Sequence, residues 1–493
     1  MRIDTNSIKV LAIVLMLFVV CSCTTNKATG KQDFTLFMSE TKEVKVGAQE
    51  HPKILEQFGG EYRHNSLNAY ITSVGKKLSR LSEVPNLPYR FIILNDDSVN
   101  AFALPGGYVY VTRGLLALAN NEAEVAGVLA HEIGHITARH TAQRYSTAMA
   151  TNIGLNIFGI IGSASGLPTG VDHAVSLGAN AAIMGYSRSQ ELEADMLGIR
   201  YMTRANYPAD SMVSLFKSLN AHAQLKKRRA GKTSTYHDIM ATHPRTEVRI
   251  LKAIKKAKAA IVQNPYLGRE QYLKQIDGLI FGDDINHGIR IGRNFVHPTL
   301  KFKFQIPKNF TMLNTKRKVT AIGPNNTRIE FSVVSFQNEK QIKNLSIYLK
   351  NSWGKDVPLN NVETINVNGM LGKTASGRPR GSRFTLRMVV VRGGPKKIFR
   401  FAFVIPDDSP AKISKELRRT TYSLSQLTHS EAKNVQPLRI RIKKIEKNDT
   451  IKTLSRKMLI HDNHDKVDWF CILNNTTLNS SLLPGSYYKF INH

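Results

Sequence analysis

His131 and His135 stand four residues apart with Glu132 between them, in the stretch LAHEIGHITARH over residues 129–140. On a helix, a spacing of four brings two side chains within about 40° of each other, so both imidazoles can close on one ion. Glu132, about 100° away around the helix, is near enough to take a proton from a water activated by that ion without itself being a ligand. The pattern is HExxH, whose chemistry would be zinc-assisted hydrolysis; a structural or merely solvated histidine pair is the other reading. His140 comes nine residues after His131, about 180° round a continued helix, and is expected to point away from the ion. A catalytic zinc needs a third protein ligand. The longer HExxHxxGxxH arrangement is excluded, because Ala138 and Thr141 stand where it needs Gly and His. Downstream, SRSQELEADMLGIRYM sets Glu191 and Asp195 four apart. That spacing lets Glu191 reach the ion while Asp195 orients a liganding histidine from behind. The expected centre is one zinc per chain on His131, His135 and Glu191, with Glu132 as base.

The elements that must position these groups can be read around them. NNEAEVAGVLAHEIGH has Asn121 in a capping position, Glu124 three residues on, and an apolar stripe of Val125, Val128, Leu129 and Ile133, which predicts a helix. LPGGYVYV predicts a Gly-Gly turn feeding a strand, with Tyr108 and Tyr110 on one face and Val109 and Val111 on the other. Residues 145–171 carry no charge. A single membrane crossing there would put Glu191 across the bilayer from His131, so the run is read as a lid beside the cleft or as a buried helical hairpin. Residues 264–285 read as a helical linker. From 286 to 428 apolar residues alternate, as in TRIEFSVVSF, and RFTLRMVVVRGGPKKIFRFAFVIP predicts a hairpin around Gly393, Gly394 and Pro395. This middle region is expected to be an α+β domain with an antiparallel sheet, and it holds no catalytic constellation.

Four stretches in order, NAFALPGGYVYVTRGLL, NEAEVAGVLAHEIGHITARH, YSRSQELEADMLGIRYM and ATHPRTEVRI, resemble the HExxH zinc metallopeptidases that include the CAAX prenyl protease, HtpX, BepA and LoiP. The resemblance covers roughly residues 40–263 and implies a mainly helical, gluzincin-type peptidase domain with a small sheet over 46–263. It implies that His131, His135 and Glu191 bind zinc and that Glu132 is the general base. His243 would then cover the zinc as a latch or assist the transition state, and Arg249 would stand near the substrate; a plain turn histidine before Pro244 is the other reading of His243. In such proteins the strand matching Gly107, Tyr108, Val109 and Tyr110 is an edge that pairs with the substrate backbone, which suits extended, unfolded chains. A structural edge strand is the alternative. Residues 435–493 resemble a LysM module, with Asn448-Asp449-Thr450, Leu473-Asn474-Asn475 and Pro484-Gly485 at its turn positions. Such modules commonly bind peptidoglycan glycans; the alternative is a structural or substrate-docking role. The helical repeats that follow the protease in BepA have no counterpart in this sequence.

The first residues indicate where the chain works. Arg2 and Lys9 precede an apolar run from Val10 to Val20, about 16 Å as a helix and short of the ~30 Å hydrocarbon core. Residues 1–22 therefore read as a signal peptide. VCSC resembles a lipobox, which implies cleavage after Ser22 and a lipid on Cys23, followed by a tether over 23–45. Thr24 favours the outer over the inner membrane. Cys471 would be left without a partner, so no intramolecular disulfide is expected. The net charge of +32 would suggest nucleic acid inside a cell, but an export signal argues against that partner. KKRR at 226–229 and LKAIKKAKAAI read as solvated faces or as surfaces drawn to anionic lipid.

The sequence thus predicts an α+β multidomain protein: signal, tether, peptidase domain, linker, middle domain and LysM-like module. Its expected function is zinc-dependent, ATP-independent endopeptidase action on misfolded or unassembled envelope proteins. The partners implied are those substrates, a membrane reached through the lipid, and peptidoglycan. The rival is a latched or inactive chaperone or scaffold tethered to the wall through the LysM-like module.

Overall fold

The computed structural model describes residues 23–162, 185–230, 239, 243, 247–256, 262–338, 344–460 and 465–493. The expected signal peptide, residues 163–171 of the uncharged run, Pro244, and residues 257–261 of the basic stretch lie outside the described residues. The chain divides into two compact units. One comprises Met1–Leu279, Ile440–Met458 and Lys466–Phe490, the other Ile280–Arg439, Leu459–Asp465 and Ile491–His493.

The first unit is built from helices α1 (Glu40–Gln57), α2 (Asn65–Arg80), α3 (Arg113–Leu118), α4 (Glu122–Thr137), α5 (His140–Gly162), α6 (Arg188–Arg204), α7 (Ser211–Ala230), α8 (Glu247–Lys256) and α9 (Arg269–Ile276). To these the later chain adds α10 (Ile451–Lys457) and α11 (Lys466–Asn474). The helix α4 is the pivot. Its apolar residues run round the whole circumference, and every residue except Ile136 is buried, as a helix apolar on all sides requires. Asn121 caps it, accepting from the Glu124 amide at 2.8 Å, with Glu122 and Glu124 on the favourable end of the helix dipole. The helix α6 starts at the Ser187–Gln190 capping box and crosses α4 at close quarters. A Cβ on Gly198 would stand 3.0 Å from the His131 amide nitrogen, and one on Gly134 2.8 Å from the Ala194 carbonyl oxygen. Glycines at both positions let the two backbones meet.

Three strands, β3 (Arg90–Leu94), β4 (Ala101–Leu104) and β5 (Tyr108–Thr112), form a sheet in the order β3-β5-β4. Here one expectation fails. The strand β5 is central, paired parallel to β3 on one side and antiparallel to β4 on the other, so its ladder groups are already used. Gly107, Tyr108, Val109 and Tyr110 therefore offer no edge; the edge on that side belongs to β4. Tyr108 and Tyr110 instead join Ile54, Phe58, Phe102 and Leu104 in a core between the sheet and α1.

The expected tether is folded as well. β1 (Cys23–Thr25) pairs antiparallel with β2 (Gln32–Phe34). The buried Asn26 side chain donates to the Thr137 carbonyl at 3.0 Å, at the end of α4, and to Asp33 at 2.7 Å. An expected linker residue, Tyr272 of α9, is fully buried and donates its hydroxyl to the Leu116 carbonyl. Burying polar groups with their partners is what binds both segments to this unit.

The second unit is the expected antiparallel structure. Its seven-stranded sheet runs, in spatial order, Thr311–Asn314, Val319–Ile322, Arg328–Ser335, Lys397–Pro406, Phe384–Gly394, Met370–Gly377 and Glu363–Val367. The hairpin around Gly394 forms as read, with an irregular register between Arg392 and Gly394. Phe302, Phe304, Phe331, Phe399, Phe401 and Phe403 dominate its core.

Candidate metal centre

α4 places His131 and His135 on one face, and α6 brings Glu191 against them. His135 Nε2 lies 3.0 Å from His131 Nε2, and the Glu191 carboxylate stands 3.5 Å from His135 Nε2 and 3.6 Å from His131 Nε2. His243 closes the cluster. Its Nδ1 lies 2.8 Å from Glu191 Oε1 and 3.3 Å from His131 Nε2. His243 is held there through its amide, which donates to Ile239, while the Ile239 amide donates to Val99 just before β4.

Three imidazole nitrogens and a carboxylate oxygen thus lie within 4.8 Å of one another, all buried. Ligand atoms about 2.0–2.2 Å from a tetrahedral zinc stand roughly 3.3–3.6 Å apart. The observed spacings of 2.8 to 3.6 Å bracket that range, and a nitrogen-rich set with one carboxylate suits zinc. Burial drives the His135 imidazole down to about 3, which keeps it neutral as a ligand must be. Burial works against charge on Glu191 too, yet His243, His135 and His131 around it hold its carboxyl well below the ordinary carboxylate range.

A shell of partners fixes the ligands. Asp195 lies 2.8 Å from His131 Nδ1, as expected from its spacing, and so sets that ring's orientation. Arg249 donates through Nε to Asp195 Oδ2 at 2.7 Å and its Nη2 stands 3.1 Å from Glu191 Oε2. It acts on the acidic pair of α6. Glu132 is fully buried, with Oε1 3.8 Å from His243 Nε2.

His140 is where the continuous-helix reading fails. α4 ends at Thr137, and Arg139 turns the chain with φ of 54° before α5 begins. His140 does stay out of the ligand set, but it returns to put Nδ1 2.8 Å from His135 Nδ1, while its Nε2 lies 3.1 Å from Glu193. That hydrogen bond, with Lys31 at 2.6 Å, holds Glu193 down to about 2. His135 is thereby oriented from behind much as His131 is by Asp195. Tyr186 stacks on His135 at 3.8 Å between ring centroids. The spacing of His140 pointed it away from the site, and Tyr186 carried no spacing signal in the sequence. Beside His135 opens a cavity of about 140 Å³, whose lining includes Tyr186, Arg139, Ala103, Leu104 and Gly106.

Residues 65–257 match the profile of peptidase family M48. Over that stretch the chain is similar to peptidase family M48. The beta-barrel assembly-enhancing protease of Escherichia coli strain K12 is 30% identical to it over 197 residues, 39% of each chain. A Vibrio cholerae relative of that type is 32% identical over 199 residues, again 39% of each. The mitochondrial metalloendopeptidase OMA1 of Schizosaccharomyces pombe is 26% identical over 213 residues, 43% of this chain and 59% of its own. The chain thus spans about two fifths of the length of the bacterial relatives it matches.

Proposed function

We propose that this chain is a zinc-dependent, ATP-independent endopeptidase of the bacterial cell envelope that degrades misfolded or unassembled envelope proteins. The observation that carries the reading is the convergence of His131, His135 and Glu191 beside a buried Glu132. Bound zinc would supply Lewis-acid polarisation of a scissile carbonyl and lower the pKa of a water. Glu132 takes a proton on its carboxylate from the water that attacks the carbonyl carbon and returns it to the amine nitrogen as the C–N bond breaks. Asp195, Arg249 and His140 hold the ligand side chains in place throughout. The β4 edge, whose Ala103 and Leu104 line the cavity, takes over the strand-pairing role expected of β5.

The envelope setting is supported by the lipobox-like VCSC and by relatives named for beta-barrel assembly. Among the described residues no helix is long and apolar enough to cross a membrane. We further infer a lipid on Cys23 facing the outer membrane and a peptidoglycan contact through the LysM-like segment. A second reading, a latched enzyme serving as a scaffold, is favoured by one observation: His243 Nδ1 stands inside the cluster, 2.8 Å from Glu191 Oε1 and 3.3 Å from His131 Nε2.

The test is degradation of an unfolded protein by the lipid-free chain from Thr24 onward, wild type against Glu132→Gln at equal zinc content. Loss of a clear wild-type activity supports the peptidase. Intact substrate with both proteins, zinc bound, favours the scaffold.

A further inference from the structure

Lys489, near the end of the chain, is fully buried. Its Nζ donates to the carbonyls of Ala117, Leu118 and Ala119 at 2.8, 2.9 and 2.7 Å. An ammonium has three N–H donors, and all three are used. The acceptors are the orphan carbonyls at the C-terminal end of α3, where a cation is electrostatically favoured. Burial pulls the lysine well below its ordinary range, and the negative charge of Glu124 opposes that pull. Three carbonyl acceptors can be met only by the protonated form.

The same junction continues into α4. The Asn120 amide donates to Glu124 Oε2 at 2.7 Å, and the Ser214 hydroxyl donates to Glu124 Oε1. The end of α3, the residues after it and the first turn of α4 are therefore one hydrogen-bonded body completed by a side chain from the far end of the sequence. Asn474 places that side chain. Its Oδ1 accepts from the Lys489 amide at 2.7 Å, and its Nδ2 donates to the Lys489 carbonyl at 2.9 Å.

We propose that Lys489 is a positioning residue for the metal centre: by fixing the start of α4 it sets where His131 and His135 stand against Glu191. The helix has little room to absorb a shift. It is buried along its length, and at Gly134 and Gly198 its contact with α6 leaves no space for a methyl group. A displaced first turn is transmitted along the helix to the ligands. Residues 466–490 then complete the peptidase unit, and the function of that segment includes shaping the centre. This inference rests on reading the His131, His135, Glu191 and His243 cluster as a metal site.

The experiment uses the chain from Thr24 onward, metal-free and then titrated with cobalt(II) or zinc. Visible absorption reports the cobalt coordination, and competition with a chelator gives the affinities. Lys489→Met is compared with wild type at a temperature where near-ultraviolet circular dichroism shows both folded. We expect zinc and cobalt affinities about tenfold or more lower and an altered cobalt band. Unchanged affinity together with an unchanged band in the folded variant would overturn the proposal. Should Lys489→Met fail to fold, Asn474→Ala decides, because it keeps the lysine and loosens only its seat. Weaker binding with an altered band supports the inference, and wild-type behaviour overturns it. A wild type that binds neither ion overturns the metal-site reading and this inference with it.

Discussion

His243→Ala separates the two roles that His243 can play. In the structure its Nδ1 sits 2.8 Å from the buried Glu191 carboxylate, to which it donates when it carries the ring proton. A hydrogen bond to a charged group is worth about 1.5–3 kcal/mol, and each ~1.4 kcal/mol is a factor of ten. If displacing His243 must precede substrate binding, the closed form is therefore favoured by roughly 10- to 150-fold. Removing the side chain should raise kcat/KM on an unfolded substrate by up to that factor. It also removes a hydrogen-bond partner of Glu191, so zinc binding weakens and the assay must run at saturating zinc with metal content measured. The double variant Glu132→Gln, His243→Ala should be inactive, which excludes a contaminating protease. A fall in kcat/KM of tenfold or more at equal zinc occupancy would refute the latch. It would place His243 on the transition state instead, with Nε2 already 3.8 Å from Glu132.

Glu132→Gln should retain zinc and lower kcat by about 10²–10⁴, the usual worth of a general base, which single-turnover kinetics would read. Asp195→Asn removes the partner of His131 and Arg249, and chelator competition should find zinc held 10- to 100-fold more weakly. Gly198→Ala forces a methyl to 3.0 Å from the His131 amide nitrogen and 3.2 Å from the Ala130 carbonyl carbon. Denaturant unfolding should show a loss of about 1–3 kcal/mol, and zinc affinity should fall with it. In the second unit, burial, helped by His287 and Lys397, lowers His297 from 6.5 to about 4. On acidification through 6.5 the unfolded chain takes a proton that the folded one refuses, so stability is lost between pH 6.5 and 4. The cost is at most about 3 kcal/mol. His297→Gln should remove that part of the acid sensitivity, and an unchanged pH slope would contradict the assignment.

The candidate metal ligands were legible because their signal is local. Spacings of four within α4 and within α6 each fix a face, and only the meeting of the two helices had to be supplied by the fold. Glu132 and Asp195 followed from the same periodicity, and the Gly393–Pro395 hairpin from local turn chemistry. His140 was misread because nothing in Thr137-Ala138-Arg139 announces a helix end: the turn is made by a non-glycine residue at positive φ, held where Arg139 pairs with Glu43 at 3.0 Å. The strand β5 was misread because its parallel partner, β3, lies across β4 in sequence, and alternation does not say how many neighbours a strand has. Arg249 could be placed near the site, but its pairing with Asp195 and Glu191 depends on where α8 docks. Lys489 was beyond reach, since a lysine in a strand reads as solvated until the carbonyls it meets, some 370 positions earlier, are known.

The ligand cluster has one more consequence, which concerns time. His131, Glu191 and His243 are fully enclosed and His135 is 2% exposed. An ion held there cannot be traded with the surroundings atom by atom; it leaves only when the protein opens. The exchange rate is then a property of the fold, not of the chelators outside it.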